Sequence, residues 1–148
     1  GSTGKRSARP DGVTLHSHFL IASRCRMRAL IVDDSRPIRR IEADILKELG
    51  FETDDAADGR AALARLELAP LPDVVLVDWN MPEMDGLEFI RAIRSDDRYA
   101  GITVLMVTTE TETDQMLRAL SSGADEYLMK PFQKESLIEK LRLVGVVN

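Results

Sequence analysis

Three carboxylates in this chain sit where an α/β protein would do chemistry. Asp33 and Asp34 close the apolar run in LIVDDS, and Asp78 closes another in VLVDWNMP. If those runs are neighbouring parallel strands, about 4.8 Å apart, three ionised acids meet in one place and repel one another unless a cation sits among them. An oxygen-only donor set with an incomplete protein shell calls for Mg²⁺, or alternatively Mn²⁺, with water in the remaining positions. Two further runs end on complementary groups, Thr108 in VLMVTTE and Lys130 in YLMKPF. A phosphoryl group on Asp78 could be neutralised by Lys130 and the cation while the Thr108 hydroxyl donates to it. Asp78 as a carboxylate nucleophile is the chemistry this inventory fits best.

Each residue has a plainer reading taken singly. A lone Asp at a strand-to-helix junction is usually a helix cap, but Ser35 already supplies that cap. Asp78 is followed by Trp79-Asn80-Met81-Pro82, which turns away from a helix. Lys130 alone reads as a solvated lysine, Thr108 as a strand-end hydroxyl and Tyr127 as a half-buried packing aromatic. The joint placement of Thr108 and Lys130 argues for function; Tyr127, read from the residues alone, stays a packing aromatic. The chain has no GxxxxGK[ST] loop and no GxGxxG, and its two histidines, His16 and His18, lie in the N-terminal stretch, away from any triad.

The elements that would position these groups follow from the apolar pattern. Residues 1–26 are rich in Gly, Ser, Thr and basic residues without apolar periodicity, and read as a tag or disordered extension whose Gly-Ser start resembles a cleavage scar. From Met27 onward, short β-branched runs alternate with amphipathic stretches of helical length. Strands are expected at about 29–32, 51–55, 74–77, 102–107 and 126–129. The first helix starts near Ser35 and carries Ile38, Ile41, Ile45 and Leu49 on one face until Gly50. Asp58 and Gly59 open a second helix with Ala62, Leu63 and Leu66 inward. Helices at about 86–95 and 113–122 follow, and a last one carries Leu137, Leu141 and Val144. Five βα repeats are too few for an eight-stranded barrel, so the expectation is an open, doubly wound α/β sheet that is parallel and five-stranded, with ligands at the carboxyl ends of its strands.

Charge separates the two parts. Residues 1–26 hold five Lys/Arg and one acid, whereas the remainder holds fifteen bases against twenty-four acids. An acidic globular part argues against a nucleic-acid backbone as direct partner. No apolar run approaches the roughly 20 residues of a membrane helix, and the single Cys25 makes no internal disulfide, so the expected location is cytoplasmic. Arg36, Arg39 and Arg40 and the RYAG segment at 98–101 read as solvated faces.

Met27 to about Gly145 resembles the receiver domain of bacterial two-component response regulators. LIVDDS, VDWNMPEMDG, VTTE and GADEYLMKPF occur in matching order, and VDWNMPEMDG is especially similar to the stand-alone chemotaxis regulators (CheY-like). The resemblance implies a flavodoxin-like (βα)5 fold with strand order 2-1-3-4-5. It implies that Asp78 accepts phosphate from a histidine kinase or phosphotransfer protein, with Mg²⁺ held by Asp34, Asp78 and the main-chain carbonyl of Asn80, and by Asp33 through water. Thr108 and Tyr127 would be a switch pair that alters the surface of the fourth helix, fifth strand and fifth helix for a downstream target protein. It further implies a cis Lys130-Pro131 bond, and Asn80 and Glu110 as neighbours that set the lifetime of the phosphoryl group. The expected product is a monomeric interaction module that catalyses only its own modification. The alternatives are a receiver cut from a larger regulator (transcription factor, diguanylate cyclase or hybrid kinase) and a Mg²⁺-dependent aspartyl-phosphate phosphatase. The phosphatase would want a second acid where Asn80 stands.

Overall fold

The structure is a computed structural model that describes residues 26–81, 84–109, 113–130 and 132–147, without the side chains of 113–115. Residues 1–25 of the expected extension therefore lie outside the described residues, as do Glu110 and Pro131. Five strands form one sheet: β1 (Arg28–Val32), β2 (Glu52–Ala56), β3 (Val74–Asp78), β4 (Thr103–Thr108) and β5 (Glu126–Met129). Their order is β2-β1-β3-β4-β5 and every pairing is parallel, the doubly wound, flavodoxin-like arrangement expected. The helices are α1 (Arg36–Glu48), α2 (Gly59–Leu66), α3 (Gly86–Arg94), α4 (Thr113–Ser121) and α5 (Lys134–Leu143).

Strand alternation sends successive residues to opposite faces, and each face carries its own core. Leu30, Val32, Val75, Val77, Val104 and Met106 pack against Ala62 and Leu66 of α2, Phe89, Ile90 and Ile93 of α3, and Ala119 of α4. Ala29, Ile31, Val74, Leu76, Leu105 and Val107 pack against Leu46 of α1 and Leu137 and Leu141 of α5. β3 is buried along its whole length, as a central strand covered on both faces must be. β2, at an edge, carries Glu52, Asp54 and Asp55, charges that discourage pairing with another chain.

Local chemistry sets the helix starts. Ser35 accepts from the Ile38 amide, with a proline in the first turn of α1. Asp58 caps α2, and Asp85 and Glu88 form a reciprocal capping box at α3. Gly123, at φ +120°, ends the turn after α4, in a conformation glycine adopts without the usual side-chain penalty.

The stripe on α1 is rotated from the one read in the sequence. Ile41 is 54% exposed, whereas Glu42 and Leu46 are buried. A 3.6-residue period running through Ile38, Ile45, Leu46 and Leu49 has position 42 at its centre, so the backbone turns the acid inward. Two surface readings also change. Arg39, with only 15% of its side chain exposed, donates to the Asp33 carbonyl at 2.7 Å and to Asp55 at 2.9 Å, tying α1 to the ends of β1 and β2. Tyr99 of the RYAG segment is a core residue in a short 3-10 turn, Asp97–Tyr99.

The loop after β3 turns back over its own origin. The Gly86 amide donates to the Trp79 carbonyl at 3.0 Å, and a Cβ at position 86 would stand 2.5 Å from the Asp78 carbonyl oxygen. Gly86→Ala should cost roughly 2 kcal/mol or more of stability, in the upper part of the range for overpacking. Urea denaturation monitored by far-UV circular dichroism measures it.

Candidate functional site

The carboxyl ends of β1, β3, β4 and β5 converge, and the register decides which side chains meet there. Val32 pairs with Val77, so Asp33 and Asp78 follow on adjacent strands with the same parity, toward the α1 and α5 side. Ligand oxygens of Asp33, Asp34 and Asp78 lie within 4.8 Å of one another. Asp33 is 1% exposed and Asp78 8%, while Asp34 faces solvent. A cluster of three carboxylates with one open to water could hold a metal ion, and its all-oxygen composition suits a hard cation.

Lys130, immediately after β5, reaches into the same place. Its Nζ lies 2.7 Å from Asp33 Oδ2 and 3.4 Å from Asp78 Oδ1. The other Asp33 oxygen accepts from the Ser35 amide at 2.8 Å, so Asp33 is held at both ends of its carboxylate. The Lys130 amide donates to the Thr108 carbonyl at 2.7 Å, anchoring the base of its side chain to β4.

The electrostatics follow from this crowding. Burial pushes the Asp78 carboxyl up to about 6, helped by the charges of Asp33 and Asp34 and opposed by Lys130. Burial favours deprotonation of Lys130, but the Asp33 hydrogen bond and the charges of Asp78, Asp33 and Glu42 outweigh it and hold the ammonium's pKa above the ordinary lysine value. The ammonium is the cation that keeps the buried acids compatible.

Thr108 is 2% exposed at the end of β4, one residue beyond Val107, which pairs with Asp78. Tyr127 pairs with Met106 and Met129 with Thr108; the two-residue period therefore puts Thr108 and Tyr127 on one face, toward α2, α3 and α4. The Tyr127 ring is half-buried against that core, with the Lys140 ammonium 4.4 Å from its centroid. Asn80 is exposed two residues beyond Asp78. The Lys130-Pro131 bond and Glu110 fall outside the described residues.

Glu42 is the residue that sequence reasoning missed. It is 2% exposed, its Oε2 has no hydrogen-bond partner among the described residues, and burial pushes it up from 4.5 to about 8, with Asp33 and Asp78 adding to the rise and Lys130 opposing it. The available signal was its place at the centre of the apolar stripe.

Comparisons with known proteins agree with one another. Residues 29–142 match the family model of the response regulator receiver domain. Chemotaxis protein CheY of Pseudomonas aeruginosa is 42% identical over 119 residues, 80% of this chain and 95% of that protein. The structure of Vibrio cholerae chemotaxis protein CheY4 superposes with a TM-score of 0.76 at 40% identity, covering 81% of this chain and 99% of that one. A two-component response regulator/GGDEF domain protein superposes with a TM-score of 0.75 at 30% identity; the match covers 80% of this chain but 49% of that one.

Two outcomes are expected from these groups. A carboxyl raised from 4.5 to about 8 stabilises the fold fully below the lower value, and that contribution is lost as pH rises through the upper one. Glu42→Leu should therefore stabilise the metal-free protein by on the order of 2 kcal/mol at about pH 7.5, with the advantage growing from acid pH and levelling off above about 8; urea melts across pH test both size and direction. A divalent ion must displace the proton from Asp78, so its affinity should weaken as pH falls through about 6, measurable by calorimetric titration with Mg²⁺.

Proposed function

The chain belongs to the response regulator receiver family of two-component signalling, and from that premise we propose that it is a phospho-accepting switch in which Asp78 takes the phosphoryl group of a histidine kinase's phosphohistidine. The observation that carries this reading is Asp78 itself: a carboxylate at the open end of the central strand, 3.4 Å from an ammonium and inside a three-carboxylate cluster. Mg²⁺, or Mn²⁺ in its place, would be held by Asp33, Asp34, Asp78 and the main-chain carbonyl of Asn80. When bound, the ion supplies positive charge that offsets both the carboxylates and the incoming phosphoryl oxygens.

The protein's own part is positioning. An Asp78 carboxylate oxygen attacks phosphorus, forming an acyl-phosphate O–P bond as the P–N bond of phosphohistidine breaks and its electron pair leaves with the imidazole. Asp33, held by Lys130 and the Ser35 amide, keeps the ammonium beside the accepting oxygen. Lys130 can then pair with a phosphoryl oxygen, and the Thr108 hydroxyl at the end of the adjacent strand donates to another. Placing about −1.5 to −2 of new charge there draws Thr108 toward it and opens space behind. Tyr127, on the same face as Thr108, turns inward and changes the surface of α4, β5 and α5 that a downstream target protein reads. A shift from mostly off to mostly on requires at most about 5.5 kcal/mol of differential stabilisation.

The two chemotaxis proteins at 40% and 42% identity support a chemotaxis-type output. Our reading further takes the protein to be a cytoplasmic monomer that acts on protein partners and does not bind nucleic acid. The same reading makes it a catalyst only of its own phosphorylation and dephosphorylation. The likeness to one half of a GGDEF-containing regulator favours a second reading, in which this receiver controls an attached output domain.

Incubation with Mg²⁺ and acetyl phosphate should add about 80 Da, one phosphoryl group, by intact mass. The gain should vanish in Asp78→Asn and after chelation. A wild-type protein that gains no mass rules out Asp78 as phosphoacceptor.

A further inference from the structure

Beside the acidic cluster, Ile38 and Ile41 of α1, Thr109, and Phe132 after β5 form an apolar pocket of about 380 Å³, and its two ionisable lining residues are Glu42 and Lys130. Glu42 occupies a position that burial alone would give to an aliphatic side chain, one turn before the fully buried Leu46. A carboxyl in that place costs stability, the more so because Oε2 is buried without a hydrogen-bond partner among the described residues. Among the described residues, the charged groups acting on it come from the ends of three strands: Asp33 after β1, Asp78 in β3 and Lys130 after β5. Lys130 is the one cation among them.

We propose that Glu42 is a positioning residue for Lys130: a carboxyl on α1 that competes with Asp33 and Asp78 for the ammonium and thereby governs how closely Lys130 engages the accepting oxygen of Asp78. Its consequence for phosphorylation rests on Asp78 being the phosphoacceptor; the pairing itself rests on the shared pocket and the orphan oxygen. While Glu42 keeps its proton it carries no charge, and Lys130 stays with Asp33 and Asp78 at 2.7 and 3.4 Å. Once ionised, Glu42 is a further carboxylate competing for the lysine in the pocket they share, and it draws the ammonium away from Asp78. Burial, the largest influence on Glu42, sets that change near pH 8, and burial persists when charge at Asp33 and Asp78 is offset by a cation.

The test follows the lysine directly. With lysine labelled at 13Cε, the Lys130 signal is identified by its loss in Lys130→Arg and titrated in metal-free buffer. In wild type it should move twice, near pH 6 with Asp78 and near pH 8 with Glu42. In Glu42→Gln, an isosteric change, the first movement should remain and the second disappear. Glu42→Leu should behave the same way, with thermal melts at or above wild type showing that both variants fold. Wild-type and Glu42→Gln curves that superimpose overturn the proposal.

A second arm measures the initial rate of mass gain with saturating Mg²⁺ and acetyl phosphate across the same pH range. The wild-type rate should fall as pH rises past about 8, and Glu42→Gln should hold its rate; an equal alkaline fall in both overturns the proposal. A wild type that gains no mass at any pH sinks the phosphoacceptor reading instead, and the lysine titration still decides the role of Glu42.

Discussion

Asp33 and Asp78 stand on adjacent strands with one ammonium between them, and most of the architecture serves that juxtaposition. Two nearly buried carboxylates a strand spacing apart cannot both ionise without a counter-charge. Lys130 supplies one from the end of β5, a separation of 97 residues from Asp33. Its reach depends on β5 being held against β4, which the Lys130 amide to Thr108 carbonyl bond secures. Beside it, Gly86 lets the start of α3 lie against the Asp78 carbonyl. Disturbing any of these leaves a buried charge without its partner, a more costly error than losing a surface ion pair.

The strand order explains why the site lies where it does. With β1 and β3 side by side at the centre, the chain leaves one strand for α1 and the other for the loop leading to α3, so their carboxyl ends form the crevice at which doubly wound sheets bind ligands. Alternation then divides the labour. Asp33, Asp78 and Lys130 face α1 and α5, whereas Thr108 and Tyr127 face α2, α3 and α4. A chemical event on one side of the sheet is thus adjacent, through the last residues of β4, to a tyrosine on the other. In the proposed switch, this adjacency is what would couple a new charge at Asp78 to a surface without a long relay.

Stability has been set aside locally in favour of this chemistry. Burial raises Asp78 and Glu42 well above ordinary carboxyl values, and a shift of that kind is a free-energy cost to the charged form. Elsewhere the molecule is conventional: two apolar cores, capped helices and ion pairs at exposed edges such as Arg98 with Glu67 and Asp96. Departures from the conventional pattern collect around Lys130, as expected where function competes with packing.

Much of this was legible in the sequence because it is local. Short β-branched apolar runs and the period-3.6 pattern located the strands and helices to within a residue or two, Ser35 and Asp58 announced their helices, and the position of Asp33, Asp34, Asp78, Thr108 and Lys130 after apolar runs marked the end of the sheet where chemistry would collect. What the pattern could not supply was rotation and register. The apolar residues of α1 define a stripe wide enough to be centred in more than one way, and only docking against β1 and β2 turned Ile41 outward and Glu42 in. Arg39 looked like a solvated charge until α1 lay across the ends of β1 and β2. The ammonium's choice between Asp33, Asp78 and Glu42 likewise depends on distances among residues far apart in the chain. Sequence determines what each segment can become; which side chains share a desolvated space is decided by how the segments pack, because burial and Coulomb energies act through space.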